Sequence, residues 1–146
     1  MTQRVELATV MDRLAIDEVI TGYAVAVDDA EWADFRALFT PDGRADYTSA
    51  GGVEGTAAEV TDWLTGALAP FTVRQHLIAN RRLRIQDLGG YPGDRADLRA
   101  DYLSTLRQEG GEDRTSGGRF DFGLLRGDAG WRLHSVVVQE SWRRVN

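Results

Sequence analysis

The sequence predicts an α+β fold in which three N-terminal helices are followed by a strongly curved antiparallel sheet that wraps around them as a cone. Three observations carry this. Through the first seventy or so residues the apolar side chains recur at steps near three and four, the signature of helices with one buried stripe. From Phe71 onward they alternate with period two in long runs, the signature of strands with one buried face. Glycine-rich turn signals separate the runs, which suits an antiparallel meander. Such strands need a covered face, which the helices must supply, and the mouth of the cone would be a cavity.

The elements follow in order. Residues 5–27 read as a helix, with Val10, Met11, Leu14, Val19, Ile20, Tyr23 and Val27 as its apolar positions. Asp28 or Asp29 can cap a second helix over Ala30–Phe39, which carries Trp32, Phe35, Leu38 and Phe39. Pro41-Asp42-Gly43 stops it and turns the chain into a short strand, Arg44–Ser49. After the Gly51-Gly52 break, Thr56-Ala57-Ala58-Glu59 has the spacing of a capping box, and the helix it opens ends at Pro70. Phe71–Gln86 is the first long strand, with Arg74, His76, Ile78 and Asn80 on one face and Val73, Gln75, Leu77 and Ala79 on the other. Residues 89–94 make a turn. In the strand Arg95–Gln108, Ala96, Leu98, Ala100, Tyr102, Ser104 and Leu106 share a face. Gly110–Gly118 reads as a mobile loop or a long hairpin connection, Phe120, Phe122 and Leu124 mark the third long strand, and Gly127–Gly130 turns into a last strand from Trp131 to about Trp142.

With 146 residues the chain reads as one domain over 1–146. Its net charge of -6 argues against nonspecific nucleic-acid or membrane-surface partners. The absence of a signal-like start points to a cytoplasmic protein. There is no cysteine and no lysine, which removes thiolate nucleophiles, disulfides, Schiff bases and a lysine base from the available chemistry. The remaining proton carriers are His76, His134, the carboxylates and the tyrosines. Two distant histidines do not make a zinc site, so no metal and no cofactor is expected. Apolar side chains on both parities of the last strands, such as Phe122 beside Leu125 and Val136 beside Val137, suggest a homodimer through the outer sheet face, with a trimer as the alternative.

Residues 10–142 together resemble the SnoaL-like group of the nuclear transport factor 2-like superfamily. The resemblance rests on Asp12-Arg13-Leu14-Ala15-Ile16-Asp17-Glu18-Val19-Ile20, on Tyr23-Ala24-Val25-Ala26-Val27-Asp28, on Trp32, on Leu38-Phe39-Thr40-Pro41-Asp42-Gly43, and on the strand with His76 and Asn80. It implies the cone-shaped fold and a hydrophobic small-molecule ligand. In scytalone dehydratase and hexachlorocyclohexane dehydrochlorinase an aspartate ending the first long helix pairs with a histidine on the first long strand, and the histidine takes a proton from carbon. Asp28 and His76 match those positions, and Tyr47 resembles a tyrosine that polarises substrate or water. The dehydratase's second histidine has no counterpart among Arg99, Ala100, Asp101 and Tyr102.

The candidate catalytic residues are therefore His76 and Asp28, and the candidate substrate contacts are Tyr23, Tyr47, Asn80, Arg99, Asp101 and Trp63. Each has a plainer reading: His76 as a core or rim histidine, Asp28 as a cap, Tyr23 and Trp63 as core, Tyr47 as core or cavity, Asn80 as a loop contact, Arg99 and Asp101 as a solvent-facing pair. His134 reads as a packed or interface histidine. The expected function is a cofactor-independent lyase or isomerase using a His general base with an Asp partner. The alternatives are a noncatalytic binding or assembly protein and an epoxide hydrolase.

Overall fold

The computed structural model describes residues 2–86 and 94–146, with side chains from Leu7 onward. The chain forms α1 (Thr2–Asp28), α2 (Trp32–Ala37), β1 (Phe39–Asp46), a 3-10 turn (Thr48–Ala50), β2 (Glu54–Thr56), α3 (Ala57–Leu68), β3 (Val73–Gln86), β4 (Arg95–Arg107), β5 (Arg114–Gly127) and β6 (Gly130–Val145). The turn expected at 89–94 lies outside the described residues except for Asp94.

The α+β class holds, but the expected shape does not. The sheet has the order β2-β1-β6-β5-β4-β3, so β2 and β3 are its edge strands, each paired on one side, and the sheet neither closes nor curls strongly into a cone around the helices. Nor is it wholly antiparallel. β3 to β6 form antiparallel neighbours, but β1 runs parallel to β6. The cause is local. Pro41-Asp42-Gly43 does not turn the chain; it stays inside β1, where the register with β6 shifts between Phe39 and Arg44. A proline, which cannot donate to a ladder, fits at such an irregularity. A Cβ at Gly43 would lie 2.9 Å from the Leu133 carbonyl oxygen, so glycine allows the two strands to stay close there. For the same reason α2 ends at Ala37, and Phe39 is a strand residue rather than a helical one.

Among the described residues, the buried apolar stripe of α1 lies in its second half. Ile16, Ile20, Tyr23 and Val27 are buried at helical spacing, whereas Val10, Met11 and Leu14, expected on the same stripe, are exposed. Asp12 ties this stretch to the sheet. Arg126 near the end of β5 donates to both carboxylate oxygens of Asp12 at 2.8 and 2.6 Å and to Asp94 Oδ2 at 3.2 Å, while its guanidinium lies 4.6 Å over the Trp131 ring. That hydrogen-bonded arginine holds the Asp12 carboxyl below the usual carboxylate range, despite partial burial that opposes the shift.

The third helix starts as the sequence predicts. Glu59 N–H donates to Thr56 Oγ1 at 3.2 Å, and Thr56 N–H donates to Glu59 Oε1 at 3.1 Å, a complete capping box. β2, three residues long, gave no sequence signal of its own. The polar stretch 110–118 is shorter as a loop than its composition suggests, because β5 already begins at Arg114. Gly117 and Gly118 are strand residues: the Trp142 ring occupies the place of a side chain at Gly117, and the Gln139 carbonyl oxygen occupies it at Gly118. The register between β5 and β6 shifts between these two glycines.

Candidate functional site

β3 sets the site. Its first half alternates as the sequence predicts, with Arg74, His76 and Ile78 partly buried and Val73, Gln75 and Leu77 exposed. The alternation then slips by one residue. Asn80 adopts a left-handed backbone (φ 52°), the register with β4 shifts between Ala79 and Arg82, and Arg81, Leu83 and Ile85 come onto the His76 face. Arg81 secures the bulge by bonding to the Asp17 side chain and by donating to Thr21 Oγ1 at 3.2 Å, both on α1. His76 is thereby presented to the end of the buried half of α1.

That end is Asp28. Its Oδ1 lies 2.6 Å from His76 Nδ1, and its Oδ2 accepts the His76 backbone N–H at 2.9 Å. Both side chains are 17% exposed. An ionised carboxylate can only accept, so Nδ1 carries the proton and Nε2 of the neutral ring keeps its lone pair. Nε2 lies 3.2 Å from Ser104 Oγ on the neighbouring strand. Neither Asp28 nor Asp29 caps α2: the residue ahead of that helix is Glu31, which makes no side-chain capping bond. The cap reading of Asp28 is therefore replaced by a bidentate bond to His76.

His76 and Ser104 open onto a cavity of about 90 Å³ between the end of α1, α3 and the inner sheet face. This leaves room for several non-hydrogen atoms, since one water needs about 10–15 Å³ on the same kind of measure. Tyr23, Tyr47 and Trp63 line it, along with apolar side chains such as Val27 and Leu68. The Tyr23 and Tyr47 hydroxyls are hydrogen-bonded to each other. Burial pushes both phenols above their ordinary range, so both hold their protons. One of the two O–H groups is spent on the other, which leaves the second free to donate elsewhere. Trp63 packs on Tyr47 with ring centroids 5.5 Å apart.

Three expected substrate contacts lie elsewhere. The bulge removes Asn80 from the His76 face, and its side-chain amide donates to Asp101 Oδ2 at 3.0 Å on the exposed side. Arg99 and Asp101 are on the outer face of β4, opposite Tyr102 and Ser104. Arg99 Nε donates to Asp121 at 3.4 Å, and Asp101 sits 3.7 Å from Arg119, so they are cross-strand ion pairs on the opposite sheet face from the His76 cavity. His134 is on the outer face near Asp42, 3.7 Å away, and Thr40.

Sequence reasoning missed Ser104, Ser116, Arg114, Glu140 and Arg143, all of which line the cavity. Ser104 carried a signal: it is a polar residue in the run Ala96, Leu98, Ala100, Tyr102, Ser104, Leu106, whose other members are apolar or aromatic. The remaining four needed the strand register. Among the described residues, no group of three or more histidine and carboxylate side chains is placed to hold a metal, and no helix is long and apolar enough to cross a membrane.

Comparison with known proteins places this geometry. The chain is 28% identical over 141 residues to the uncharacterized protein Rv2910c of Mycobacterium tuberculosis, covering 95% of this chain and 92% of that one. It superimposes with a TM-score of 0.78 on a crystal structure from Novosphingobium aromaticivorans provisionally named an aromatic ring hydroxylase, at 25% identity, covering 94% of this chain and 93% of the other. Hexachlorocyclohexane dehydrochlorinase LinA-type3 from Novosphingobium barchaimii has the same fold, with a TM-score of 0.77 at 16% identity over 97% of this chain and 94% of that one. The sequence model of the SnoaL-like domain matches residues 8–137, nearly the whole chain, and the protein belongs to the SnoaL-like domain family.

Proposed function

We propose that this protein is a cofactor-independent lyase or isomerase that acts on a largely apolar small molecule, with His76 Nε2 as the general base. The observation that supports it is the Asp28–His76 pair, with Nδ1 held by Oδ1 at 2.6 Å and the opposite nitrogen beside the cavity. Asp28 sets the tautomer and stabilises the imidazolium formed when Nε2 takes a proton from carbon. Charge then develops on the adjoining carbonyl oxygen. The free O–H of the Tyr23–Tyr47 pair is the donor that would receive it, and since both phenols stay protonated it can donate without ionising. Ser104 holds Nε2 until substrate arrives.

Dehydrochlorination by a protein of the same fold is compatible with this chemistry. Fold alone does not choose the reaction, and the hydroxylase name attached to another similar structure makes the point. An epoxide hydrolase has less support, because it needs a carboxylate free to activate water. Glu140, the carboxylate lining the cavity, has both oxygens engaged by Arg143 at 2.7 and 2.8 Å.

The test is solvent deuterium wash-in beside the carbonyl of 2-tetralone and related ketones, followed by NMR. Incorporation above the buffer rate with the native chain, and its loss in His76→Ala, is the expected result. Equal rates for native and His76→Ala across the panel would remove the base and leave the noncatalytic binding protein as the reading.

A further inference from the structure

The cavity has a second polar end that the proton-transfer chemistry does not use. Strand register places it. His76 pairs with Ser104, Ser104 with Ser116, and Ser116 with Arg143, so one row crosses β3, β4, β5 and β6. Two residues back, at the start of β5, Arg114 stands beside Leu106. With strands about 4.8 Å apart and about 3.4 Å per residue along a strand, the Arg114 backbone lies about 12 Å from that of His76. Beside this polar row the lining includes the apolar Leu64, Leu68 and Leu106.

The groups at this end are not equally occupied. Arg143 is bound bidentately to Glu140, and its Nη2 also donates to the Ala50 carbonyl at 2.9 Å. Tyr102 is hydrogen-bonded to Ser116, and its phenol is pushed up to about 12, first by burial and then by the Glu140 charge, so it is a neutral group. Arg114 differs. Its guanidinium lies 5.5 Å over the Phe71 ring, and its Nε is buried with no hydrogen-bond partner among the described residues. A ring face moderates the charge but does not accept the N–H as a carboxylate would. With Arg143 and Glu140 cancelling, Arg114 brings to the lining of this end a positive charge and an unmet donor. A buried donor left unpaired is costly, and its natural complement is an anionic oxygen.

We propose that Arg114 docks a carboxylate at the far end of the ligand, so that the substrate class is an elongated, mostly apolar carboxylic acid whose other end reaches His76. This rests on the reading of His76 as the base at the opposite end, and it makes Arg114 a specificity-determining residue rather than a catalytic one.

The experiment is calorimetric titration with cinnamate and with cinnamyl alcohol, which share a skeleton and differ in charge. The native chain is expected to bind cinnamate at least about tenfold more tightly, the size of one charge-assisted hydrogen bond. Arg114→Gln should erase that preference while cinnamyl alcohol binds as before, and Arg114→Lys should keep only part of it, because lysine keeps the charge but lacks the Nε donor. His76→Gln should leave the preference intact, which separates the two ends: loss of deuterium wash-in with an intact carboxylate preference speaks to His76 alone. An unchanged preference in Arg114→Gln, or in Arg114→Lys should the first variant not fold, overturns the proposal. So does equal affinity of the native chain for the two probes, or binding of neither at millimolar concentration.

Discussion

Asp28→Asn tests the centre of this structure most directly. The carboxylate accepts two N–H groups of one residue, the ring Nδ1–H at 2.6 Å and the backbone N–H at 2.9 Å. An asparagine in the same place has one oxygen and one NH2 group, so one of those donors must face another donor. The variant loses a charge-assisted hydrogen bond and leaves a partly buried N–H unmet, which together cost about 2–3 kcal/mol. A lost helix cap would cost about 1 kcal/mol. Urea unfolding at neutral pH, with the slope unchanged between native and variant, measures the difference. The tautomer is the second readout. Nitrogen-15 NMR of the native imidazole should show the proton on Nδ1 and an unprotonated Nε2, with only His134 as a competing ring. In Asp28→Asn the two tautomers should mix, and turnover, once a substrate is found, should fall roughly 10²–10⁴-fold, as expected when a base loses the partner that orients it. A variant within about 0.5 kcal/mol of native, below the worth of a typical hydrogen bond, and with the tautomer unchanged, refutes the partnership.

The remaining predictions follow from the same contacts. The Asp12 carboxyl is held below its usual range of 3.8 chiefly by its hydrogen bonds to Arg126, so its stabilisation is present above about pH 4 and is lost as pH falls through the folded value. Native protein should therefore lose about 2 kcal/mol more than Asp12→Asn between neutral pH and the acid limit, by urea unfolding; parallel acid profiles would show that the pair contributes nothing. Tyr23 and Tyr47 have raised folded values, so their contribution is present below the ordinary phenol range near 10 and is lost as pH rises above it. Their tyrosinate absorbance should appear together with loss of near-ultraviolet circular dichroism, and ionisation in the folded chain would contradict their burial. Gly118→Ala should destabilise by about 1–3 kcal/mol, because the added Cβ meets the Gln139 carbonyl oxygen, a backbone atom that cannot swing aside. A thermal midpoint equal to that of the native chain would show that this bulge can relax.

Local sequence determined a good deal. The capping box at Thr56-Ala57-Ala58-Glu59 is a short-range device whose partners are three residues apart, so it survives any tertiary context. The β4 face of Ala96, Leu98, Ala100, Tyr102, Ser104 and Leu106 is buried throughout, because a period-two pattern with one covered side leaves no other register. The absence of cysteine and lysine narrowed the chemistry to histidine, carboxylate and tyrosine before any fold was known.

What tertiary structure alone decided are the places where a long-range partner outweighs the local signal. Pro41-Asp42-Gly43 has the composition of a turn, yet β6 pairs alongside and keeps it in a strand, which makes the sheet mixed and open. Asp28 has the position of a cap, but a residue on β3, 48 positions away, offers it two N–H groups at once, more than the helix end could. Asn80 shares the parity of His76 on paper, and a single left-handed residue moves it to the other side. The cavity wall at Arg114, Ser116 and Arg143 exists only through strand register, a relation between segments that no periodicity within one segment contains.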